Sequence, residues 1–269
     1  MSLSFPSLVS SDTKLNSYCN YIEYCTFCNS DILFDEFDTD ESGLQQDDVI
    51  AELGRRLVLY GTAFIPYVIR RDKVESRIAD KDNYLHYFYC LYYAVKGGNS
   101  YAFNTNIFEQ ITDNSLKNYF GTTNSTITSI GQSSSNLKGS IEAIRISLME
   151  VKGSYDNIRP QAKDGGIDIV TFKPLDNRGN QIVCLTDATI GKNWRDQKQV
   201  VTKLSYWKEY IHFKVCPVTC LSIVHIVDEA DFYQASKDNG LIFDRARIMK
   251  YFTTDNTLKT SLTAWHATI

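Results

Sequence analysis

Two short segments concentrate the residues that could do chemistry: Ala162-Lys-Asp-Gly-Gly-Ile-Asp-Ile-Val-Thr-Phe172 and Gln181-Ile-Val-Cys-Leu-Thr-Asp-Ala-Thr-Ile-Gly-Lys-Asn-Trp194. Gly165 and Gly166 let the backbone turn tightly and approach a ligand closely. Asp168 follows at the entry to an apolar run, where an unpaired carboxylate is costly to bury. Asp187 ends the apolar run Ile182-Val-Cys-Leu, and Lys192 comes five residues later. Two carboxylates on neighbouring strands with a lysine nearby suit a divalent cation, Mg2+ or Mn2+. The oxygens would hold the ion while the lysine orients a nucleophile at a phosphodiester. The plainer alternative is a turn aspartate and a strand-ending aspartate that caps the next helix.

Those residues need a sheet to hold them side by side, and the patterning supplies one. Ile167 to Phe172 and Gln181 to Asp187 are predicted strands joined by the turn-rich Lys173 to Gly179. Asn193 to Phe213 is predicted as one long helix with Trp194, Val201, Leu204, Trp207 and Ile211 on a face. Val218 to Val227 is a further strand, Ile242 to Phe252 a helix, and the Thr-rich end from Thr253 is expected to fray. Lys192, Arg195, Lys198, Lys203 and Lys208 make the long helix locally basic and able to contact phosphates. Asp196 and Glu209 dilute that face, and a solvated surface explains it as well.

Upstream, Asp47 to Tyr60 has helical spacing, with Asp47 and Asp48 at its N-terminus and Gly61 as a stop. Phe64 to Ile78 predicts two strands around Asp72-Lys73, and Asn83 to Val95 a Tyr-rich helix buried on most sides. Residues 1–43 are the least patterned. After Lys96-Gly-Gly-Asn-Ser100 comes a helix from Asn104 to Phe120. A Ser/Thr/Gly/Asn-rich loop with one short strand at Thr126 to Ile130 follows, then a helix from Ile141 to Val151. The expected organisation is an N-terminal, mostly helical α+β subdomain (1–100), a core (101–230) and a C-terminal helical extension (231–269). Its class is α/β, a mixed central sheet flanked by helices.

The Gly-Gly-Ile-Asp-Ile-Val turn and strand, and Asp187 with Lys192 after the second strand, resemble the PD-(D/E)XK nuclease superfamily. The likeness covers about half the chain, roughly 101–230. It implies a restriction-endonuclease-like core and Mg2+-dependent cleavage of phosphodiesters, with DNA as the main substrate. It also implies a third acidic ligand from a preceding helix, which falls on Glu109 in Asn106-Ile-Phe-Glu-Gln-Ile111. The wider pattern, including Gly191-Lys-Asn-Trp194 and Leu241-Ile-Phe-Asp-Arg-Ala-Arg247, is similar to bacterial restriction and phage-defence proteins, which implies a partner subunit. One departure stands out: the family has Lys two residues after the second acid, and position 189 is Thr. Thr189 keeps open a catalytically inactive adaptor that binds nucleic acid or a partner protein.

Composition narrows the alternatives. The 269 residues are 43% hydrophobic and 22% charged, enough for a substantial core and against wholesale disorder. With 28 Lys+Arg against 32 Asp+Glu the net charge is -4, so nucleic acid would be held by a local patch, by a partner, or by a homo-oligomer that gathers such patches. The apolar run Cys216 to Val227 is too short for a membrane span of roughly 20 residues, and the N-terminus has no secretory pattern. Seven irregularly spaced cysteines point to a reducing cytoplasm. Cys25-x2-Cys28 with Cys216-x3-Cys220 is a weak zinc pattern, and the acidic loop from Asp38 lacks a Glu at the twelfth position for Ca2+, where Val49 stands. Asp187 to Lys192 lacks the first Gly of a phosphate-binding loop, and a lone His225 in an apolar strand is more simply a core residue.

Overall fold

A computed structural model describes residues 14–29, 31–36, 43–98, 102–128, 137–154, 166–197 and 199–269. In chain order its elements are α1 (Lys14–Asn29), β1 (Asp31–Leu33), α2 (Gln46–Tyr60), β2 (Tyr67–Ile69), β3 (Lys73–Ser76), α3 (Leu85–Lys96), α4 (Ala102–Phe120), β4 (Ser125–Ile127), α5 (Leu137–Leu148) and β5 (Val151–Lys152). Then follow β6 (Ile169–Lys173), β7 (Ile182–Thr189), α6 (Trp194–Gln197), α7 (Val200–Tyr210), β8 (Ile211–His212), β9 (Val218–Ile223), α8 (Glu229–Asn239), β10 (Leu241–Phe243), α9 (Arg245–Tyr251) and α10 (Asn256–His266).

The centre is a mixed five-stranded sheet in the order β10-β9-β7-β6-β4. Strands β4, β6 and β7 pair antiparallel, while β7, β9 and β10 run parallel. Alternation along β7 divides its side chains between two layers, as a period of two requires. Cys184 joins a large apolar cluster with α1, α2, α3, α4, α9 and α10. Val183 and Leu185 join a second cluster with α5, α7 and α8. The expected α/β architecture is therefore present, helices on both faces of a mixed sheet. The first cluster runs from Tyr18 to Trp265 and includes Cys220 of β9, so the N-terminal region packs directly on the sheet.

Several local expectations differ from the structure. The long helix predicted from Asn193 to Phe213 is broken into α6, α7 and the short strand β8, and the Val200 amide at the start of α7 donates to Asn239 Oδ1 at 3.1 Å. That bond satisfies a helix-terminal N–H from outside and makes a fresh start there stable. The C-terminal extension contributes a fifth strand. Gly240, at φ 82°, ends α8 where a Cβ would come within 2.4 Å of the Thr219 carbonyl, so the chain turns at once into β10 beside β9. Asp244 then starts α9 by accepting from the Arg247 amide at 3.1 Å. The tail expected to fray is the helix α10, capped by Asp255 and anchored by Trp265, which is 1% exposed. In the poorly patterned first segment, α1 buries Tyr18, Cys19, Ile22 and Phe27.

Candidate active site

Strands β6 and β7 set the geometry. Ile169 pairs with Thr186 and Val170 with Leu185, and Asp168 stands one residue before β6, where that pairing ends. The Asp168 amide donates to Thr186 O at 2.9 Å, and its carbonyl accepts from the Thr128 amide at 2.7 Å, so the backbone here is fixed from both sides. The Asp168 carboxylate reaches the β7 backbone one residue past Asp187. Its Oδ2 accepts from the Ala188 amide at 2.7 Å, which orients that carboxylate toward β7.

Asp187 lies in register with Leu221, a member of the α5/α7/α8 layer, and is 1% exposed. The charge that meets it there is Lys203 of α7, whose Nζ is hydrogen-bonded and ion-paired to Asp187 Oδ2 and donates to the Gly166 carbonyl at 2.8 Å. Gly166 has φ 74°, and a Cβ on it would sit 2.8 Å from Lys203 Cδ and Cε. The close approach that glycine permits is that of the lysine side chain, which ties the turn before β6 to the end of β7.

The other expected residues come from the turn after β7 and from α4. Lys192 runs alongside Gly97 at the end of α3, where a Cβ would meet its Cε at 3.1 Å. Glu109 is buried on α4, beside Tyr89. Its helix covers the opposite face of the sheet: Ile107, Phe108 and Ile111 belong to the cluster with Cys184, and Thr112 bonds Ser222 at 2.8 Å. Among the described residues no group of three His, Cys, Asp or Glu side chains is placed to hold a metal ion. Arg195, expected to face phosphate, is paired with Asp231 at 2.7 Å and Asp228 at 3.5 Å and lies over the Trp194 ring. Lys198 lies outside the described residues. The Asp38 end of the acidic loop does so too.

Lys203 was expected only as a phosphate contact, although its place beneath Asp187 has a signal in the sequence. Val200, Lys203, Trp207 and Tyr210 fall at spacings of three, four and three, so the lysine sits in the core-facing stripe of α7. A lysine in that stripe needs a buried anion. Chemically the arrangement offers the Asp187 carboxylate with a lysine amine on it and a turn backbone carbonyl beside it, and the Asp168 carboxylate on the next backbone amide of β7.

No helix among the described residues is long and apolar enough to cross a membrane. Comparison of the chain with protein-family models, with curated proteins and with solved structures finds no match.

Proposed function

We propose that this chain is a metal-dependent nuclease that hydrolyses phosphodiester bonds, with DNA the expected substrate, and that its centre is Asp168, Asp187 and Lys203. The observation that carries this reading is the Asp168 carboxylate on the β7 backbone amide that follows Asp187, with one lysine seated on Asp187. With α5 and β5 inserted after β4, the order α4, β4, β6, β7, α7, β9 supports the restriction-endonuclease-like version of the α/β fold, since antiparallel β4, β6 and β7 and a helical crossover to the parallel β9 come after α4. Such a nuclease fits a role in restriction or phage defence beside a partner subunit.

The donor set fits Mg2+ or Mn2+. Two carboxylates suffice for a hard ion that keeps several waters and takes oxygens from a substrate phosphate. When bound, the ion supplies positive charge to the phosphate and acidifies an attacking water. Asp168, aligned by the Ala188 amide, and Asp187 supply the anionic cradle. Lys203 holds the charge of Asp187 in a buried position and offers a cation for negative charge developing on a phosphate oxygen. In this reading Lys203 takes the place of the lysine missing at Thr189, and Glu109 and Lys192 stand outside the reacting centre.

The full burial of Asp187 under Lys203 favours a second reading, an inactive adaptor on the same fold. Incubation with supercoiled plasmid, single-stranded DNA and RNA in Mg2+ or Mn2+, beside Asp168→Ala and Asp187→Asn, separates the two. Metal-dependent cutting lost in both variants supports the nuclease. Absence of cutting together with absence of Mn2+ binding in calorimetry supports the adaptor.

A further inference from the structure

Helix α9 carries Arg247 and Lys250 along a ridge with a groove on each side, neither of which contains Asp168 or Asp187. A groove of about 750 Å³ lies between α2, α8 and α9, with Leu59, Phe232 and Tyr233 among its walls. A hollow of about 310 Å³ lies on the other side, walled by Tyr119, Phe243 and Tyr251. Arg247 and Lys250 line both.

The two hollows share one chemistry. Tyr233 is 79% exposed and Tyr119 42%, so each offers a ring to solvent beside a cation. The Arg247 guanidinium lies 5.0 Å over the Phe232 ring and donates to the Ile242 carbonyl at 2.7 Å, which holds it flat in the ridge. Lys250 is exposed, with Nζ 5.7 Å from the Tyr251 ring. Tyr119, Phe243 and Tyr251 stand 5.1–6.1 Å apart as a trio. Two carboxylates share the larger groove, and Asp244 is committed to the amides of Val227 and Arg247, which leaves Glu229 as the rim anion. Arg55, the third cation of that groove, is paired with Glu52.

Rings that alternate with cations match a polyanion whose units carry flat apolar faces, which is how single strands are held without regard to sequence. A duplex keeps its bases stacked and cannot offer them to such walls. The ridge also begins after β10, the edge strand two places from β7 in the sheet. Asp187, Leu221 and Ile242 form one register row, so the α9 end of β10 and Asp187 are two strand spacings apart, about 10 Å.

We infer that the α9 ridge binds single-stranded nucleic acid, with bases against Tyr233 on one side and Tyr119 and Tyr251 on the other, and phosphates on Arg247 and Lys250. This rests on the nuclease reading for its biological sense and specifies the substrate as single-stranded, while the binding itself is independent of cleavage.

The test is fluorescence anisotropy of a labelled 20-mer of deoxythymidine in EDTA, with a 20-base-pair duplex and polyglutamate as competitors. Tyr233→Ala, Tyr119→Ala and Lys250→Glu are surface substitutions, and circular dichroism checks their folding. The expected result is preference for the single strand, a loss of about tenfold in affinity for each ring removed, and a salt dependence reduced by about one counterion in Lys250→Glu. No binding by wild type, equal binding in the variants, or equal competition by duplex or polyglutamate overturns the inference; polyglutamate competition would indicate an acidic protein partner. Ridge-dependent binding without cutting in Mg2+ would sink the nuclease reading alone, and cutting with no dependence on the ridge would sink the ridge alone.

Discussion

Glu23 and Arg245 are 222 residues apart in sequence and 3.3 Å apart in space. Arg56 reaches the same Glu23 oxygen at 2.8 Å, and the hydroxyls of Tyr60 and Tyr87 donate to the other at 2.7 and 2.6 Å. Arg245 goes on to Asn20, Tyr60 and the Val224 carbonyl. Three of the first helices and α9 thus meet at one carboxylate with no exposure to water. Burial pushes the Glu23 carboxyl up, but Arg245 and Arg56 with the tyrosine hydroxyl outweigh it and hold its pKa below the usual value.

Glu23→Gln should therefore destabilise the protein by about 3–5 kcal/mol, because it leaves two buried guanidinium groups facing a neutral amide. Tyr87→Phe, which removes one donor to the carboxylate, should cost about 1.5–3 kcal/mol. Urea denaturation midpoints measure both. A Glu23→Gln midpoint close to wild type would show that α1 and α9 are joined by packing alone.

At the candidate site, Lys203→Met should lower any metal-dependent cleavage by about 10²–10³-fold, the typical cost of losing a group that stabilises developing charge. Lys192→Met should leave the rate near wild type. The single Lys203→Met change also strands a buried carboxylate, so the Asp187→Asn/Lys203→Met double variant should recover much of the stability and remain inactive. Equal loss in Lys192→Met and Lys203→Met would refute the assignment of the lysine.

Gly166→Ala should act on the same centre through the backbone. Its left-handed conformation costs a residue with a Cβ about 1–2 kcal/mol, and the added methyl displaces the tail of Lys203. The expected outcome is a modest fall in stability with a larger fall in Mn2+ affinity. A variant with unchanged Mn2+ affinity would mean that the lysine is free to reseat.

Stability should fall in acid partly through His86. Its ring is stacked on Phe252 at 3.9 Å, and burial lowers its pKa to about 3. The unfolded chain takes up this proton near pH 6.5 and the native state does not, so the unfolded state binds more protons between those values. Stability is then fully present above about pH 6.5 and declines toward pH 3 by at most about 1.4 kcal/mol per pH unit from this group. His86→Phe should flatten that slope in denaturation midpoints taken across the range. An unchanged slope would assign the acid sensitivity to carboxylates such as Glu23.

Local patterning in the sequence located strands β6 and β7. Hydrophobic alternation is a local property, so Ile182 to Leu185 and Ile167 to Phe172 declared strands, and a short connection between them left antiparallel pairing as the simple outcome. Helical spacing in α2, α3 and α4 was legible for the same reason.

The choice of lysine belonged to tertiary structure. Proximity in sequence favoured Lys192, yet the turn after β7 carries it to the end of α3, and docking of α7 on the sheet delivers Lys203 from 16 residues away. For Glu109, a helical pattern shows that a face is buried but not which side of a sheet buries it. The restart of α7 at Val200 rests on Asn239, and the meeting of Glu23, Arg56 and Arg245 joins three distant segments. Hydrogen bonds between partners far apart in the chain leave no periodic trace, so only the folded molecule decides them.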